Sequence, residues 1–190
     1  MAGTIKCLFI GGFNSGKTAL LTRLTEDIFE PTSPTIGVEF HQMEIPGLEH
    51  RVTVWNLAGA PRFQAILELY YKDSQVIYLV MDSSVQGQHA AKWVSKARRL
   101  APGARIVFVF TKIDLPMHYN FQEMDLMAKH YSAHCAVALS SKEMSCGEVM
   151  SILAPTFHGI EPRRTCLSGS SLSEGYRNDV DASLFCCAIQ

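Results

Sequence analysis

The sequence predicts an α/β fold in which a six-stranded, mostly parallel sheet is flanked by about five helices. Three observations support this: short apolar runs alternate with longer segments of helical period, a tight turn separates two of the runs, and a glycine-rich loop joins the first run to the first helix. The chain has 190 residues, of which 47% are hydrophobic and 18% charged. This composition and length suit one domain with one buried core, followed by a tail.

The apolar runs and the helical segments predict the elements in order. We expect strands over residues 4–10, 37–45, 50–57, 75–81, 105–110 and 134–139. Pro46-Gly47 marks a tight connection, so the second and third strands are expected to form an antiparallel hairpin. We expect helices over about 16–25, 61–71, 87–100, 121–132 and 146–157.

The third predicted helix has one apolar face and one charged face. The apolar positions are expected in the core and the charged ones in solvent. The apolar residues are Trp93, Ala97 and Leu100, and the charged residues are Lys92, Lys96 and Arg99.

The organisation and charge of the chain limit its classes of partner. After Gly159 the composition shifts to serine, glycine and scattered charges, so we expect a domain over 1–159 and a flexible tether over 160–190. Seventeen basic and eighteen acidic residues give a net charge of -1, which disfavours a nucleic-acid partner. The first strand is expected almost at once after Met1, so no signal peptide is expected, and the sequence has no eighteen-residue apolar run. Membrane association is therefore expected to need a covalent anchor.

A glycine-rich loop follows the first predicted strand and opens the first helix. Residues 11–18 match G-x-x-x-x-G-K-[ST], whose backbone N–H groups surround phosphate oxygens. Lys17 is expected to reach the β and γ phosphates, and the Thr18 hydroxyl to bind Mg²⁺. The motif predicts a P-loop NTPase fold without naming the base. The predicted phosphate-binding residues are Gly11, Asn14, Ser15, Gly16, Lys17 and Thr18.

Further segments follow the phosphate loop in a fixed order. They are Pro34-Thr35-Ile36-Gly37-Val38-Glu39-Phe40, Trp55-Asn56-Leu57-Ala58-Gly59, Arg62-Phe63, Tyr70-Tyr71-Lys72, Thr111-Lys112-Ile113-Asp114 and Ser140-Ser141-Lys142. With these segments the chain resembles the Ras superfamily of small GTPases, and its Rab branch in particular, over nearly all of residues 4–158. Motifs in this order, each on the expected element, are far more specific than any one of them.

This resemblance implies a bound guanine nucleotide, GTP or GDP, with Mg²⁺. The Asp114 carboxylate can accept from both N1–H and the 2-amino group of guanine, a pairing that adenine does not offer. Thr35 is expected to contact Mg²⁺ and the γ-phosphate. Phe29 is a candidate to pack on the base, although it is one residue out of register. The other residues that the resemblance places at the nucleotide are Gly59, Thr111, Lys112, Ser140, Ser141 and Lys142.

The resemblance also implies protein partners. Residues 29–45 and 60–72 are expected to bind effectors when GTP is present, and exchange and activating factors are expected as regulators. The segments Pro34-Thr35-Ile36-Gly37 and Asp114-Leu115-Pro116 also resemble segments of Arf-like proteins. Ala2 leaves no N-myristoylation signal, which disfavours that branch.

The chain departs from the family pattern at the positions whose residues support GTP hydrolysis. Asn56 replaces an aspartate that holds Mg²⁺ through water, so it is expected to be a weak metal residue. Ala60 stands where a glutamine orients the attacking water, and Phe13 stands where a small residue is usual. Pro61 is expected to hold Ala60 in extended geometry. We therefore assign no catalytic residue and expect slow or absent GTP hydrolysis, unless Gln64 positions the water instead.

The last four residues match a lipidation motif. Cys187-Ala188-Ile189-Gln190 has the C-a-a-X form expected for farnesylation, and Cys186 is a second acceptor for palmitate or another prenyl group. One prenyl chain alone binds membranes reversibly. The sequence thus predicts a lipid-anchored switch on the cytoplasmic face of a membrane, acting in vesicle traffic or signalling. The alternative is a pseudo-GTPase scaffold that does not cycle nucleotide.

Overall fold

The structure, a computed structural model, describes residues 3–86 and 89–162. Its centre is one sheet of six strands. The strands are β1 (Thr4–Ile10), β2 (Val38–Glu44), β3 (Arg51–Leu57), β4 (Val76–Asp82), β5 (Arg105–Thr111) and β6 (Cys135–Ala138). Their order across the sheet is β2-β3-β1-β4-β5-β6, and only the β2–β3 pair is antiparallel. The predicted fold class and hairpin are confirmed.

Four α-helices and three short 3-10 turns surround the sheet within the described ranges. The helices are α1 (Lys17–Glu26), α2 (Ala90–Leu100), α3 (Phe121–His130) and α4 (Cys146–Leu153). The 3-10 turns are Pro61–Phe63, Ile66–Tyr71 and Ala154–Phe157. None of these described helices is both long and apolar enough to cross a bilayer.

Two predicted helices were wrong in part. Residues 61–71 form two 3-10 turns instead of one α-helix, and neither turn has a side-chain cap because Ala60 and Ala65 precede them. The last predicted helix, 146–157, stays α-helical only to Leu153. Pro155 has no N–H to donate to the preceding turn, so the segment continues as a 3-10 turn.

The core lies on both faces of the sheet. β4 is buried along its whole length, which accounts for its continuous apolar run. In β1 the side chains alternate: Cys7 and Phe9 pack with one cluster that includes α1 and α4 residues, and Leu8 packs with a second that includes Ala97 and Ala128. Trp93 and Leu100 are half-buried against the second cluster, so the predicted apolar face of α2 is confirmed.

The prediction that Lys96 lies in solvent was wrong. Its side chain is only 14% exposed. The ammonium donates to the backbone carbonyl of Gln64 at 3.1 Å and to its side-chain Oε1 at 3.3 Å, and lies 3.2 Å from Glu68. Bonds from Lys96 and Arg99 hold the pKa of Glu68 below its ordinary value. The charged face of α2 therefore anchors the segment that carries the two 3-10 turns.

Candidate functional site

The loop between β1 and α1 needs glycine at two positions. Gly11 has a φ of +146°, and a Cβ there would lie 2.1 Å from the carbonyl oxygen of Val80. Gly16, at the start of α1, has a φ of +87°, a left-handed conformation that favours glycine. The loop can therefore lie close to β4 and turn its backbone into the helix N-terminus, where anions bind favourably.

Lys17 is a desolvated cation at this loop. It is 6% exposed, and its ammonium donates to the carbonyls of Gly12 at 2.7 Å and Gly11 at 3.2 Å, and to Ser15 Oγ at 3.3 Å. Burial lowers the pKa of Lys17 to about 8, while the negative charge of Glu39 raises it. The protonated form still dominates at neutral pH, so Lys17 can neutralise a phosphate oxygen.

A closed ring of hydrogen bonds joins the two predicted metal-binding threonines. The Thr18 and Thr35 hydroxyl oxygens are 2.8 Å apart, and the Thr35 hydroxyl donates to Glu39 Oε1 at 3.1 Å. Asn56 Nδ2 donates to both Thr18 Oγ1 at 3.0 Å and Glu39 Oε2 at 2.7 Å. Because the Thr35 hydrogen is directed at Glu39, the Thr18 hydroxyl is the donor between the threonines.

The chemistry of this ring fits Mg²⁺, which prefers hydroxyl, carboxylate and water oxygens. Asn56 is 0% exposed, and its Oδ1 has no hydrogen-bond partner among the described residues. A buried polar atom of this kind is normally satisfied, for example by water or an ion. Sequence reasoning missed Glu39. Counting from the Pro46-Gly47 turn could have found it, since Glu39 pairs directly with Asn56 across the hairpin.

The predicted base-recognition residues are held in place by hydrogen bonds and an ion pair. Ser140 Oγ donates to Asp114 Oδ1 at 2.6 Å and thereby orients the carboxylate. The Lys112 ammonium donates to the Asn14 carbonyl at 2.8 Å and pairs with Asp82 Oδ2 at 2.7 Å. Sequence reasoning also missed Asp82. Burial alone raises its pKa, but bonds from Lys112 and Ser84 outweigh burial and hold the pKa below its ordinary value.

One cleft of about 470 Å³ brings most of these residues together. The predicted residues on its wall are Asn14, Ser15, Gly16, Lys17, Thr18, Phe29, Thr35, Gly59, Thr111, Lys112, Asp114, Ser141 and Lys142. Gly11, Ser140 and Asn56 are not on the wall. They act through neighbours: Gly11 shapes the loop, Ser140 bonds Asp114, and Asn56 bonds Thr18.

The two residues that depart most from the hydrolytic pattern line the same cleft. Phe13, within the phosphate loop, is 63% exposed, and Ala60, which follows Gly59, lines the same cleft. Ala60 has φ −71° and ψ 136°, so the predicted extended geometry before Pro61 is confirmed. A Cβ on Gly59 would lie 2.5 Å from the Gly12 carbonyl oxygen, so this segment touches the loop.

Gln64 is held by other contacts. Its Nε2 donates to the Ala58 carbonyl at 3.4 Å, and its Oε1 accepts from Lys96 at 3.3 Å. It is not among the residues that line the cleft. This arrangement leaves neither end of the Gln64 amide directed at the predicted phosphate site.

An aromatic surface connects the two predicted effector segments. Phe40 of β2 packs edge-on against Trp55 of β3 at 4.7 Å between ring centroids, and Trp55 lies 5.4 Å from Tyr70. In the same two segments, Ile36 is 77% exposed and Leu69 is 79% exposed. Exposed apolar side chains grouped in this way are typical of a surface for protein partners.

Comparison with known proteins relates the chain to Ras-related proteins. Residues 6–114 match the family model described as Ras of Complex, Roc, domain of DAPkinase. Ras-related protein Rab-15 of Homo sapiens is 38% identical over 115 residues, which cover 57% of this chain and 54% of that protein. Probable Ras-related protein Rab-4A of Echinococcus multilocularis is 34% identical over 135 residues, 68% of this chain and 58% of that protein. The chain thus spans about half the length of the curated relatives it matches.

Proposed function

Because this chain belongs to the Ras superfamily of small GTPases and is Rab-like, we propose that it is a guanine-nucleotide switch that hydrolyses GTP slowly. The observation that carries the proposal is the cleft whose wall combines the phosphate loop, Thr35 and the pair Lys112 and Asp114. Residues predicted to recognise phosphate, metal and base thus line one space, whose size is usual for a nucleotide-sized ligand.

The base contacts support guanine. The Asp114 carboxylate only accepts hydrogen bonds, and guanine presents two adjacent donors, N1–H and the 2-amino group. Ser140 orients the carboxylate through a 2.6 Å bond. A site built on this paired acceptance discriminates strongly against adenine, which lacks both donors.

The phosphate contacts support a triphosphate with Mg²⁺. Lys17 and the backbone of the loop supply positive charge, and the Thr18 and Thr35 hydroxyls are the groups that would hold the metal. When bound, Mg²⁺ neutralises negative charge on the phosphate oxygens. Thr35 lies in the segment before β2, so its contact would order that segment only when the γ-phosphate is present.

Three residues support slow hydrolysis. The Ala60 methyl group can neither donate to nor accept from an attacking water. The exposed Phe13 ring occupies the cleft wall where an arginine from an activating protein would approach. Gln64, the alternative water-positioning residue, is bonded to Ala58 and Lys96 instead.

The nucleotide that copurifies with the full-length protein tests this proposal. The protein is denatured, and the released nucleotide is identified by chromatography. We expect GTP as the main species, because it binds and is turned over slowly. GDP alone would show ordinary hydrolysis. If the protein purifies without any nucleotide and fails to bind added GTP, the result would favour the pseudo-GTPase scaffold. Phe13, Asn56 and Ala60 are also compatible with that function.

We also propose that the protein recruits effectors through residues 29–45 and 60–72 in vesicle traffic or signalling. The row Phe40, Trp55 and Tyr70 supports this, because it joins both segments in one apolar surface. Regulation by exchange and activating factors is part of the same proposal.

Anchoring through Cys187, with Cys186 as a second lipid acceptor, remains a prediction. Both cysteines and most of the proposed tether lie outside the described residues. In cells that prenylate proteins, Cys187→Ser is expected to move the protein from the membrane fraction to the supernatant. Ser183→Ala, outside the four-residue motif, is the control, and equal partition of both variants would contradict the anchor.

A further inference from the structure

We infer that Glu39 supplies the carboxylate of the Mg²⁺ site that Asn56 cannot supply. The inference rests on the proposed nucleotide binding and extends it to a residue that neither the P-loop motif nor the switch threonines include. Glu39 is in β2, directly opposite Asn56 of β3, so the hairpin register places the two side chains together.

The contacts of Glu39 place its charge beside both predicted metal-binding hydroxyls. One carboxylate oxygen accepts from Thr35 Oγ1 at 3.1 Å, and the other accepts from Asn56 Nδ2 at 2.7 Å. Asn56 also donates to Thr18 Oγ1 at 3.0 Å. The ring thus contains two hydroxyls, one amide and one carboxylate, and the carboxylate is its only formal charge.

The surroundings of Glu39 suit a bound cation. The side chain is half-buried, and within residues 3–86 and 89–162 no lysine, arginine or histidine forms an ion pair with it. A partly desolvated carboxylate with only neutral partners is costly unless a positive charge approaches. Its charge also raises the pKa of Lys17 against the effect of burial, so its field extends to the phosphate loop.

Asparagine at position 56 makes this arrangement possible. An aspartate there would face the Glu39 carboxylate, and two like charges at this distance repel each other. The Asn56 amide instead donates to Glu39 and draws it into the ring. The negative charge of the ring therefore lies on β2, where Glu39 accepts from Thr35 and from the Asn56 amide that also donates to Thr18.

The test measures how nucleotide release depends on Mg²⁺. Full-length protein is loaded with a fluorescent, non-hydrolysable GTP analogue, and the release rate of this analogue is followed over a buffered range of free Mg²⁺. We expect Glu39→Gln to raise the Mg²⁺ concentration at half-maximal retention by about 10–100-fold, the usual cost of losing such a supporting group. Glutamine keeps the chain length and an acceptor oxygen, so β2 is expected to pair as before; a thermal melt checks this.

Two further variants make the result specific. Glu49→Gln removes a charge from the exposed hairpin turn and is expected to leave the midpoint unchanged. The charge swap Glu39→Gln with Asn56→Asp returns one carboxylate to the ring and is expected to recover the wild-type midpoint within a few-fold.

The outcomes separate this inference from the proposed function. If Glu39→Gln and Glu49→Gln share the wild-type midpoint, or if the folded charge swap recovers nothing, Glu39 is not the missing carboxylate. Wild-type protein that retains the fluorescent GTP analogue equally with and without Mg²⁺ also overturns the inference, while guanine binding stands. Wild-type protein that binds no nucleotide overturns both.

Discussion

Replacing Asp114 with asparagine is expected to weaken GTP binding by on the order of 10⁴-fold. The amide keeps one acceptor but turns a donor toward the 2-amino group of guanine, so two donors oppose each other. In the wild-type protein Ser140 donates to Asp114 at 2.6 Å. The same bond would hold the asparagine amide in place, so the two donors would stay opposed. Equilibrium titration with a fluorescent GTP analogue measures the change.

The same substitution should favour a different base. Xanthine carries a carbonyl where guanine carries the 2-amino group, so Asp114→Asn is expected to bind xanthosine triphosphate more tightly than GTP. Asp125→Asn is the matched control, because Asp125 is 55% exposed on α3, where it pairs with Lys129. Undiminished GTP affinity in Asp114→Asn would show that Asp114 does not contact the base.

Combining Phe13→Gly with Ala60→Gln is expected to accelerate single-turnover GTP hydrolysis by on the order of 10²-fold, the scale of effect that water positioning produces. Glutamine at 60 restores a group that can orient the attacking water. Glycine at 13 removes a ring from the cleft wall and gives the new side chain room. Phosphate release from full-length protein preloaded with GTP gives the rate.

Gln64→Ala in the wild-type background is the companion variant. We expect it to leave hydrolysis unchanged, because the Gln64 amide is bonded to the Ala58 carbonyl and to Lys96. A clear loss of hydrolysis in Gln64→Ala would mean that Gln64 positions the water. If the double variant hydrolyses GTP no faster, the slow hydrolysis has another cause. Asn56, which lacks the charge of an aspartate, is then the next residue to test.

Local patterns determined much of this molecule. The strands of the sheet were predicted within one residue at each end. Buried parallel strands such as β4 are continuous apolar runs, and the Pro46-Gly47 turn marks the antiparallel hairpin of β2 and β3. The loop from Gly11 to Thr18 was equally predictable, since its glycines and its lysine act through a backbone conformation set within eight residues. The segment 61–71 was harder, because its helical type depended on weak capping at Ala60 and Ala65.

The tertiary structure alone decided which polar groups meet. Glu39 meets Asn56 through the register of the hairpin, and Asn56 meets Thr18 where β3 approaches α1; neither contact is visible in a local pattern. Lys96 was expected on a solvated helix face, but the 61–71 segment packs over it. Periodicity reports which side of an element is apolar, but a hydrogen bond between distant segments depends on where both backbones finally lie. For that reason the sequence by itself determined the fold and the nucleotide motifs, while the position of the Glu39 charge beside the predicted metal residues and the contacts of Gln64 were decided only by tertiary packing.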